Sequence, residues 1–507
     1  MKKAVLVVVT ALAVIGAALI PSGRPVEAAT RTQGFGSALS AIKQASWQTN
    51  ASVNALAVAG NTVYAGGLFT RIRQPGQPAS RGGPVRSYLA AFNRTSGAPT
   101  TFAPKLDGAV WAIATSPDGK WVVIGGDFTT VNGLPRKHLA MFSVATGKLV
   151  AGWDPAVAYR VSALAIYGNS VYFGGSFGRV DNQERNYLAA VTLKTGVLLP
   201  WNPDADEEVF AIDVADNGSR VFVGGGFTSL KDEDHNALAM VSPTTGAPFA
   251  MPAAAAIPEP TFDCVSRVKD IDTFGNKVFV ANAGSGTGCY DGVLAADSRT
   301  GKLLWQNHCL GATEAIKAIG NWLYKGSHAH DCSKSGGFKE GNGTRHLLVE
   351  SATTGKLGPW FPNTNGGGTT EVGPLAFASG GNDLWVGGDF TLVNGRRQQG
   401  LTRFSNAVGG ARPATPGAPK ASSTRAGRAV VSFPRVVDED NITLTYTLYR
   451  GTTKVGSWKR DSYPWLKPTA ATFNDSGLKR GQTVSYHVQV TDGRNVSTGP
   501  ATAVKIR

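Results

Sequence analysis

Apolar residues alternate with small or polar ones in short runs, and the runs are punctuated by glycine. Between Val161 and Phe177 the chain reads VSALAIYGNSVYFGGSF: two alternating stretches joined at Gly168-Asn169 and closed by Gly174-Gly175. Period-two alternation on both sides of a Gly-Asn pair predicts a tight antiparallel hairpin. Tyr187 to Leu193 (YLAAVTL), a Thr195-Gly196 turn and Leu198 to Trp201 supply a third and a fourth strand.

This unit recurs. The glycine-pair position returns at Gly66, Gly125, Gly174, Gly224, Ala281, Gly326 and Gly387, at spacings of 59, 49, 50, 57, 45 and 61 residues. The third-strand phrase returns with it, beginning at Leu89, Leu139, Leu188, Leu238, Leu294, Leu347 and Leu401. A turn glycine follows in six units (Gly97, Gly147, Gly196, Gly246, Gly301, Gly355), then usually an aromatic residue: Phe102, Trp153, Trp201, Trp305 or Trp360. Four short strands per repeat predict an all-β chain whose units are the blades of a β-propeller. The seventh unit lacks its turn and fourth strand, and Trp47-Gln48-Thr49-Asn50, ahead of the first unit, has the pattern of the missing piece. The expectation is a seven-bladed β-propeller closed by an N-terminal strand, which leaves no open sheet edge.

Residues 409–419 read GGARPATPGAP, a Pro/Gly linker. Beyond it, short alternating strands at Ala429 to Phe433, Leu444 to Tyr449, Ala471 to Phe473, Thr483 to Val490 and Thr502 to Ile506 predict a β-sandwich over residues 420–507. At the other end, Lys2 and Lys3, an apolar run from Ala4 to Ile20 and Val26-Glu27-Ala28 predict a secretory signal over residues 1–28, cut after Ala28, with a retained membrane anchor as the alternative. The propeller then occupies 29–408. No other segment is long and apolar enough to cross a bilayer, so the mature chain is expected to be secreted, extracellular and monomeric.

The formal net charge is +15, and losing three cations and one anion with the signal leaves +13. The surplus is spread along the chain without a Lys/Arg arm, which argues against a nucleic-acid partner and fits loose attraction to anionic cell-wall polymers. The four cysteines all lie in units five and six. Cys264 and Cys309 each stand eleven residues before their unit's hairpin glycine, and Cys289 and Cys332 follow it by fourteen and twelve. Equivalent positions predict Cys264 paired with Cys289 and Cys309 with Cys332, as export permits.

Candidate chemistry gathers on the face that carries the loops leading into each first strand and those between strands two and three. Long insertions there run from Arg71 to Arg86 and from His328 to His346. His328, His330 and Asp331 supply two imidazoles and a carboxylate in four residues, with the imidazoles on one side of an extended strand. They are candidates for ligand contact or acid–base work, without a signature that completes a metal site. The residues just before the first strands are Ser52, Ala109, Arg160, Glu208, Arg267, Glu314 and Glu371, with Lys269 and Asp270 close behind. They predict a charged rim: Arg160, Arg267 and Lys269 for ligand binding, and Glu208, Glu314 and Glu371 as paired acids if the protein is a glycosidase. Alternatively the charges pair across neighbouring blades. Asp127 and Asp389 are expected to accept N–H groups of the Val-Asn-Gly turn that follows them. Spaced calcium ligands, a P-loop, a dinucleotide fingerprint and a Ser/His/Asp signature are all missing from the sequence, and no cofactor is expected.

Two stretches resemble known families. Leu478-Lys-Arg-Gly-Gln-Thr-Val-Ser-Tyr486-His-Val-Gln-Val490 resembles the fibronectin type III signature, although Val431 and Phe433 stand where that family's second strand usually carries Trp. Ile124-Gly-Gly-Asp-Phe-Thr-Thr-Val-Asn-Gly133 and Val386-Gly-Gly-Asp-Phe-Thr-Leu-Val-Asn-Gly395 resemble the delta-60 type of bacterial propeller repeat, related to repeats of fungal cortical marker proteins. The whole arrangement is similar to secreted proteins of Gram-positive actinobacteria. The resemblance implies a fold, not an activity, because propellers host many chemistries. The leading expectation is an extracellular binding protein for a polysaccharide, cell-wall polymer or protein. The alternatives are a secreted glycoside hydrolase or lyase with an accessory module, and a metal-dependent enzyme using His328 and His330.

Overall fold

The computed structural model describes residues 38–286, 288–367, 373–406, 410–466 and 470–507. The signal segment 1–28 and the candidate Glu371 lie outside the described residues. Strands dominate, and two short 3-10 turns, Pro252–Ala256 and Ser333–Ser335, interrupt them.

Between Val53 and Ser405 the strands of the described residues form seven antiparallel sheets of three or four strands in chain order, with four two-stranded ribbons beside them. Sheet one holds Val53–Ala59, Thr62–Gly67 and Leu89–Asn93; sheet two, Val110–Thr115, Trp121–Gly126 and Leu139–Ser143; sheet three, Val161–Tyr167, Ser170–Gly175 and Leu188–Thr192. Sheet four holds Val209–Val214, Val221–Gly225, Leu238–Val241 and Pro248–Phe249, and sheet five holds Cys264–Phe274, Lys277–Gly286, Gly292–Asp297 and Leu303–Gln306. Thr313–Ile319, Trp322–Ala329 and Arg345–Ser351 make sheet six; Pro374–Ala378, Asp383–Gly388 and Leu401–Ser405 make sheet seven.

The fourth strand is more modest than the repeat pattern predicts. It pairs over two or more residues only in sheets four and five, and shrinks to one bridge in four others: Phe92 with Pro99, Phe142 with Leu149, Val191 with Leu198 and Glu350 with Leu357.

The glycine pairs have a packing reason. A Cβ added at Gly66 would lie 2.4 Å from Val110 Cγ1, at Gly125 2.5 Å from Val161 Cγ1, at Gly174 2.5 Å from Val209 Cγ1 and at Gly224 2.2 Å from Val268 Cγ1. Each glycine of a middle strand is thus the hole that receives a residue of the next sheet's first strand. The series closes on itself, because a Cβ at Gly387 in sheet seven would lie 2.6 Å from Val53 Cγ1 in sheet one.

The segment before sheet one spans this closure. Gln44 donates its N–H to Arg403 O at 2.9 Å, Arg403 Nε donates to Ala45 O at 3.0 Å, and Trp47 packs in the same cluster as Trp385. The ladder at Gln48–Thr49, however, runs along Ile72–Arg73 of the first unit's insertion rather than along sheet seven. Arg73 explains the detour: buried beneath the segment, it donates to Thr49 O at 3.1 Å.

Residues 420–507 form two further antiparallel sheets. One holds Lys420–Ser422, Arg428–Phe433 and Ala471–Ser476; the other holds Thr443–Arg450, Thr453–Asp461, Thr483–Thr491, Val496–Thr498 and Thr502–Lys505. Their inner faces share a core of Val431, Phe433, Leu444, Tyr446, Tyr486 and Val488, which makes this region a sandwich. Thr453–Asp461 and Val496–Thr498 escaped the alternation pattern, the former because charged and glycine positions fill one face. Trp458 on that strand packs on Phe433 and Phe473. Residues 410–419 lie along the sandwich: Ser497 Oγ donates to Pro413 O at 2.6 Å and Ala414 N to Val437 O at 3.0 Å. Trp465 meets Phe338 at a tilt, and Trp465 and Tyr463 meet Phe361 of the sixth unit edge to face.

Candidate functional site

Each of the seven first strands contains a register shift near its start: between Val53 and Ala55, Val110 and Ala112, Val161 and Ala163, Val209 and Ala211, Val268 and Asp270, Thr313 and Ala315, and Pro374 and Ala376. A bulge re-aims the extra residue out of the ladder. The seven extra residues are Asn54, Trp111, Ser162, Phe210, Lys269, Glu314 and Leu375, and all of them line one cavity of about 170 Å³.

That register corrects the rim read from the sequence. Arg160, Glu208 and Arg267 stand two residues before a bulge, but Glu314 occupies the bulge itself and is not equivalent to Glu208. The sixth unit's disulfide-bearing lead-in shifts the apparent start of its strand, which apolar alternation alone does not reveal.

The charges at this level are paired between sheets. Arg160 Nε donates to Asp127 Oδ1 at 2.6 Å and NH2 to Oδ2 at 3.0 Å, while the guanidinium lies 4.7 Å from the centre of the Trp111 ring. Trp111 Nε1 also donates to Asp127 Oδ2, at 2.7 Å. Two sheets further round, Lys269 Nζ lies 3.3 Å from Glu314 Oε2 and 4.8 Å from the centre of the Phe210 ring. Each cation therefore has an aromatic face on one side and a carboxylate on another. Glu208 accepts from Ser162 Oγ at 3.1 Å. Arg267 shares the space beside Gly226 with the carboxylate of Glu207.

Asp127 does not serve the turn that follows it, as the sequence had led us to expect. The turn's N–H groups are taken in three sheets by a residue four places before the bulge: Asn50 accepts from Thr70 and Arg71, Asp107 from Thr129 and Thr130, and Asp206 from Thr228 and Ser229; in the seventh, Asn365, ten places before its bulge, accepts from Thr391 and Leu392. The recurring Asp or Asn at that offset was the available signal.

The residue after the bulge is alanine in six sheets and Asp270 in the fifth. Asp270 Oδ2 accepts the Ile316 N–H at 2.8 Å and Oδ1 the Ile271 N–H at 2.9 Å. Burial, reinforced by the nearby negative charge of Asp272, pushes its carboxyl up to about 7. Two residues beyond the Ala211 that matches Asp270, Asp213 accepts from Thr273 N at 2.7 Å, and burial followed by repulsion from Asp272 raises it to about 6. Asp272 accepts from Ala318 N at 2.7 Å and is ion-paired with Lys317. Acid groups thus tie sheets four, five and six together, while the matching positions elsewhere are alanine.

The disulfides join Cys264 to Cys289 and Cys309 to Cys332, the pairing that equivalent spacing predicts. Next to the second, His328 and His330 do point the same way, with ring centres 6.4 Å apart and planes 15° apart. His330 Nδ1 meets Glu340 Oε2 at 2.5 Å. Asp331 turns aside to accept the Ser333 N–H at 2.8 Å, and these Ser333 hydrogen bonds hold its carboxyl below the usual range. Among the described residues no three His, Cys, Asp or Glu side chains converge as a metal cage.

Residues 116–140 match the profile of a domain of unknown function described as a β-propeller (DUF5122). No curated protein matches the chain. Among solved structures it is similar to a chain of "Crystal Structure of Mitotic Checkpoint Complex", with 14% identity over 70% of this chain and 89% of that one and a TM-score of 0.42. The all-β repeat architecture is accordingly that of a β-propeller.

Proposed function

We propose that residues 29–408 form a seven-bladed propeller latched by the segment around Trp47, that residues 420–507 form a fibronectin type III-like module, and that the chain is exported after cleavage behind Ala28. Two disulfides support an extracellular setting, as does the lack, among the described residues, of a helix long and apolar enough to cross a membrane. Outside the cell the protein binds an extracellular glycan, cell-wall polymer or protein through the loop-bearing face at the mouth of the channel.

The observation that carries this reading is the pair of cation-on-aromatic units, Arg160 on Trp111 and Lys269 on Phe210. An aromatic face suits the apolar side of a sugar ring, and the adjacent cation suits an acidic substituent. A cavity of about 170 Å³ admits a terminal group rather than a chain threaded between two carboxylates. The test is binding to a panel of acidic and neutral glycans and wall polymers. Retention without turnover, weakened about tenfold or more by Trp111→Ala or Lys269→Ala, is expected; binding indifferent to both substitutions would overturn the reading.

A second reading, a polysaccharide hydrolase or lyase, is favoured by Asp270 and Glu314 lining one cavity. A carboxyl raised to about 7 in the same cavity as an ion-paired carboxylate is how acid and base roles separate. Release of new sugar ends that disappears in Glu314→Gln would establish it, and its absence across the same panel would exclude it.

A further inference from the structure

Three sheets carry the same aromatic pair between their middle strand and the segment behind their turn glycine. The pairs are Tyr172 with Trp201, Tyr324 with Trp360 and Tyr64 with Phe102, with ring centres 5.1, 5.0 and 5.3 Å apart. In the first two, both polar ends are tied to the neighbouring segment. Trp201 Nε1 donates to Ser242 O and Tyr172 OH to Pro243 O, each at 2.8 Å. Trp360 Nε1 donates to Ser40 O at 3.3 Å, and Tyr324 OH accepts the Leu39 N–H at 2.7 Å. Sheet one has neither tie. Phe102 carries no N–H, and the hydroxyl of Tyr64, a residue 3% exposed, has no partner among the described residues. The carbonyls that match Ser242 and Pro243 are those of Ser143 and Val144 in sheet two. A buried hydroxyl left without a bond is costly, so its persistence calls for a reason.

A crevice of about 360 Å³ opens at this junction, lined by Thr62, Tyr64 and Ala91, by residues 100–104 and 144–147, and by Asn132. At the next junction the corresponding crevice is lined by Gly152, Asp154, Asp181, Gln183 and residues 195–198. It stops short of Trp121, Val123 and Met141, which hold the positions of Thr62, Tyr64 and Ala91. Trp153 closes it off, its indole reaching across to Thr192 O at 3.1 Å. The smaller Phe102 instead leaves the way to Tyr64 open. None of the side chains lining the sheet-one crevice is charged. Thr62, Thr101 and Thr146 add hydroxyls, and Asn132, whose Oδ1 is taken by the Lys105 N–H at 2.8 Å, offers its Nδ2.

We propose that this crevice is a second binding site and takes one neutral sugar residue of a glycan. The apolar face of the sugar lies against the Phe102 ring, and its hydroxyls meet Tyr64, the threonines and Val144 O. A hydroxyl both donates and accepts, so it can replace the two ties that sheets three and six make for themselves. An ionised group would find no counter-charge among the lining side chains. The site shares no lining residue with the cavity at the channel mouth and stands independently of it.

The experiment is titration of the folded wild-type chain with glucose, galactose, mannose and N-acetylglucosamine, read by saturation-transfer NMR and calorimetry. At least one should bind, in the millimolar range usual for a single small ring. Phe102→Trp, which restores the indole found at the other junctions, should weaken that binding about tenfold or more and raise the melting temperature. Tyr64→Phe, which keeps the ring packing, should weaken it several-fold. Phe102→Trp should leave acidic-glycan binding at the channel mouth intact, so that the two sites fail separately. Binding of none of the four sugars, or binding unchanged in Phe102→Trp, overturns the proposal. Saturable binding of free indole without any sugar also overturns it, and assigns the crevice to an aromatic side chain of a partner.

Discussion

Asp127 holds Arg160 through a two-pronged ion pair whose shorter contact is 2.6 Å, and so fastens sheet two to sheet three at the mouth of the channel. The same carboxylate receives the Trp111 indole N–H, so one residue fixes both the cation and the aromatic plane beneath it.

Replacing Asp127 by Ala should therefore lower stability by about 1 kcal/mol, a modest loss because both partners are 34% exposed and water screens the pair. Asp127→Asn, which keeps an acceptor for Trp111, should recover part of it. Urea midpoints of the three proteins check this, and equal midpoints would show that the pair contributes nothing.

The glycine at each sheet junction makes a sharper prediction. Gly66→Ala places a methyl 2.4 Å from Val110 Cγ1 and should cost about 1–3 kcal/mol through overpacking. Gly82→Ala, where nothing lies within 4 Å, should be nearly neutral. Thermal denaturation of both variants separates a packing role for the glycines from a purely conformational one.

Removing the Cys309–Cys332 bridge as a double serine variant should cost about 3 kcal/mol, the scale expected for a loop closed over a sequence separation of 23. The difference from wild type should shrink when both proteins are unfolded in reductant. A variant as stable as wild type without reductant would mean that the bridge constrains neither state.

Asp270 and Asp213 set the expected pH dependence. Their folded values, about 7 and about 6, lie above the 3.8 of an ordinary aspartate, so the folded chain holds protons that the unfolded chain has released. Their contribution is fully present below about pH 4, falls as pH rises through the window from 4 to 7, and is gone above it. Asp270→Asn should flatten that slope and gain stability relative to wild type at pH 8. Denaturation midpoints measured from pH 4 to 8 test the sign, and a wild-type midpoint rising through the window would contradict it.

Much of this protein was legible in its residues alone. Glycine pairs at Gly66, Gly125, Gly174 and Gly224 announced the repeats, because a hole for the neighbouring sheet and a tight strand crossing both demand the smallest residue. The disulfide partners followed from equal offsets in adjacent repeats. The site was less legible: Glu314 was set level with Glu208, and Asp127 was assigned to the wrong partner. A bulge is a matter of register between two strands, and neither strand's own pattern records it.

The sequence by itself determined the repeated antiparallel strands of an all-β chain and the cysteine pairing, since these depend on local periodicity. Only the tertiary structure decided which seven side chains face the cavity, that Arg160 rests on Trp111 while Asp127 holds it, and that Lys325 and Glu350 pair in a buried position. Those relationships join residues far apart in the chain, and the distances between them are fixed by strand register and by packing between sheets rather than by any one segment.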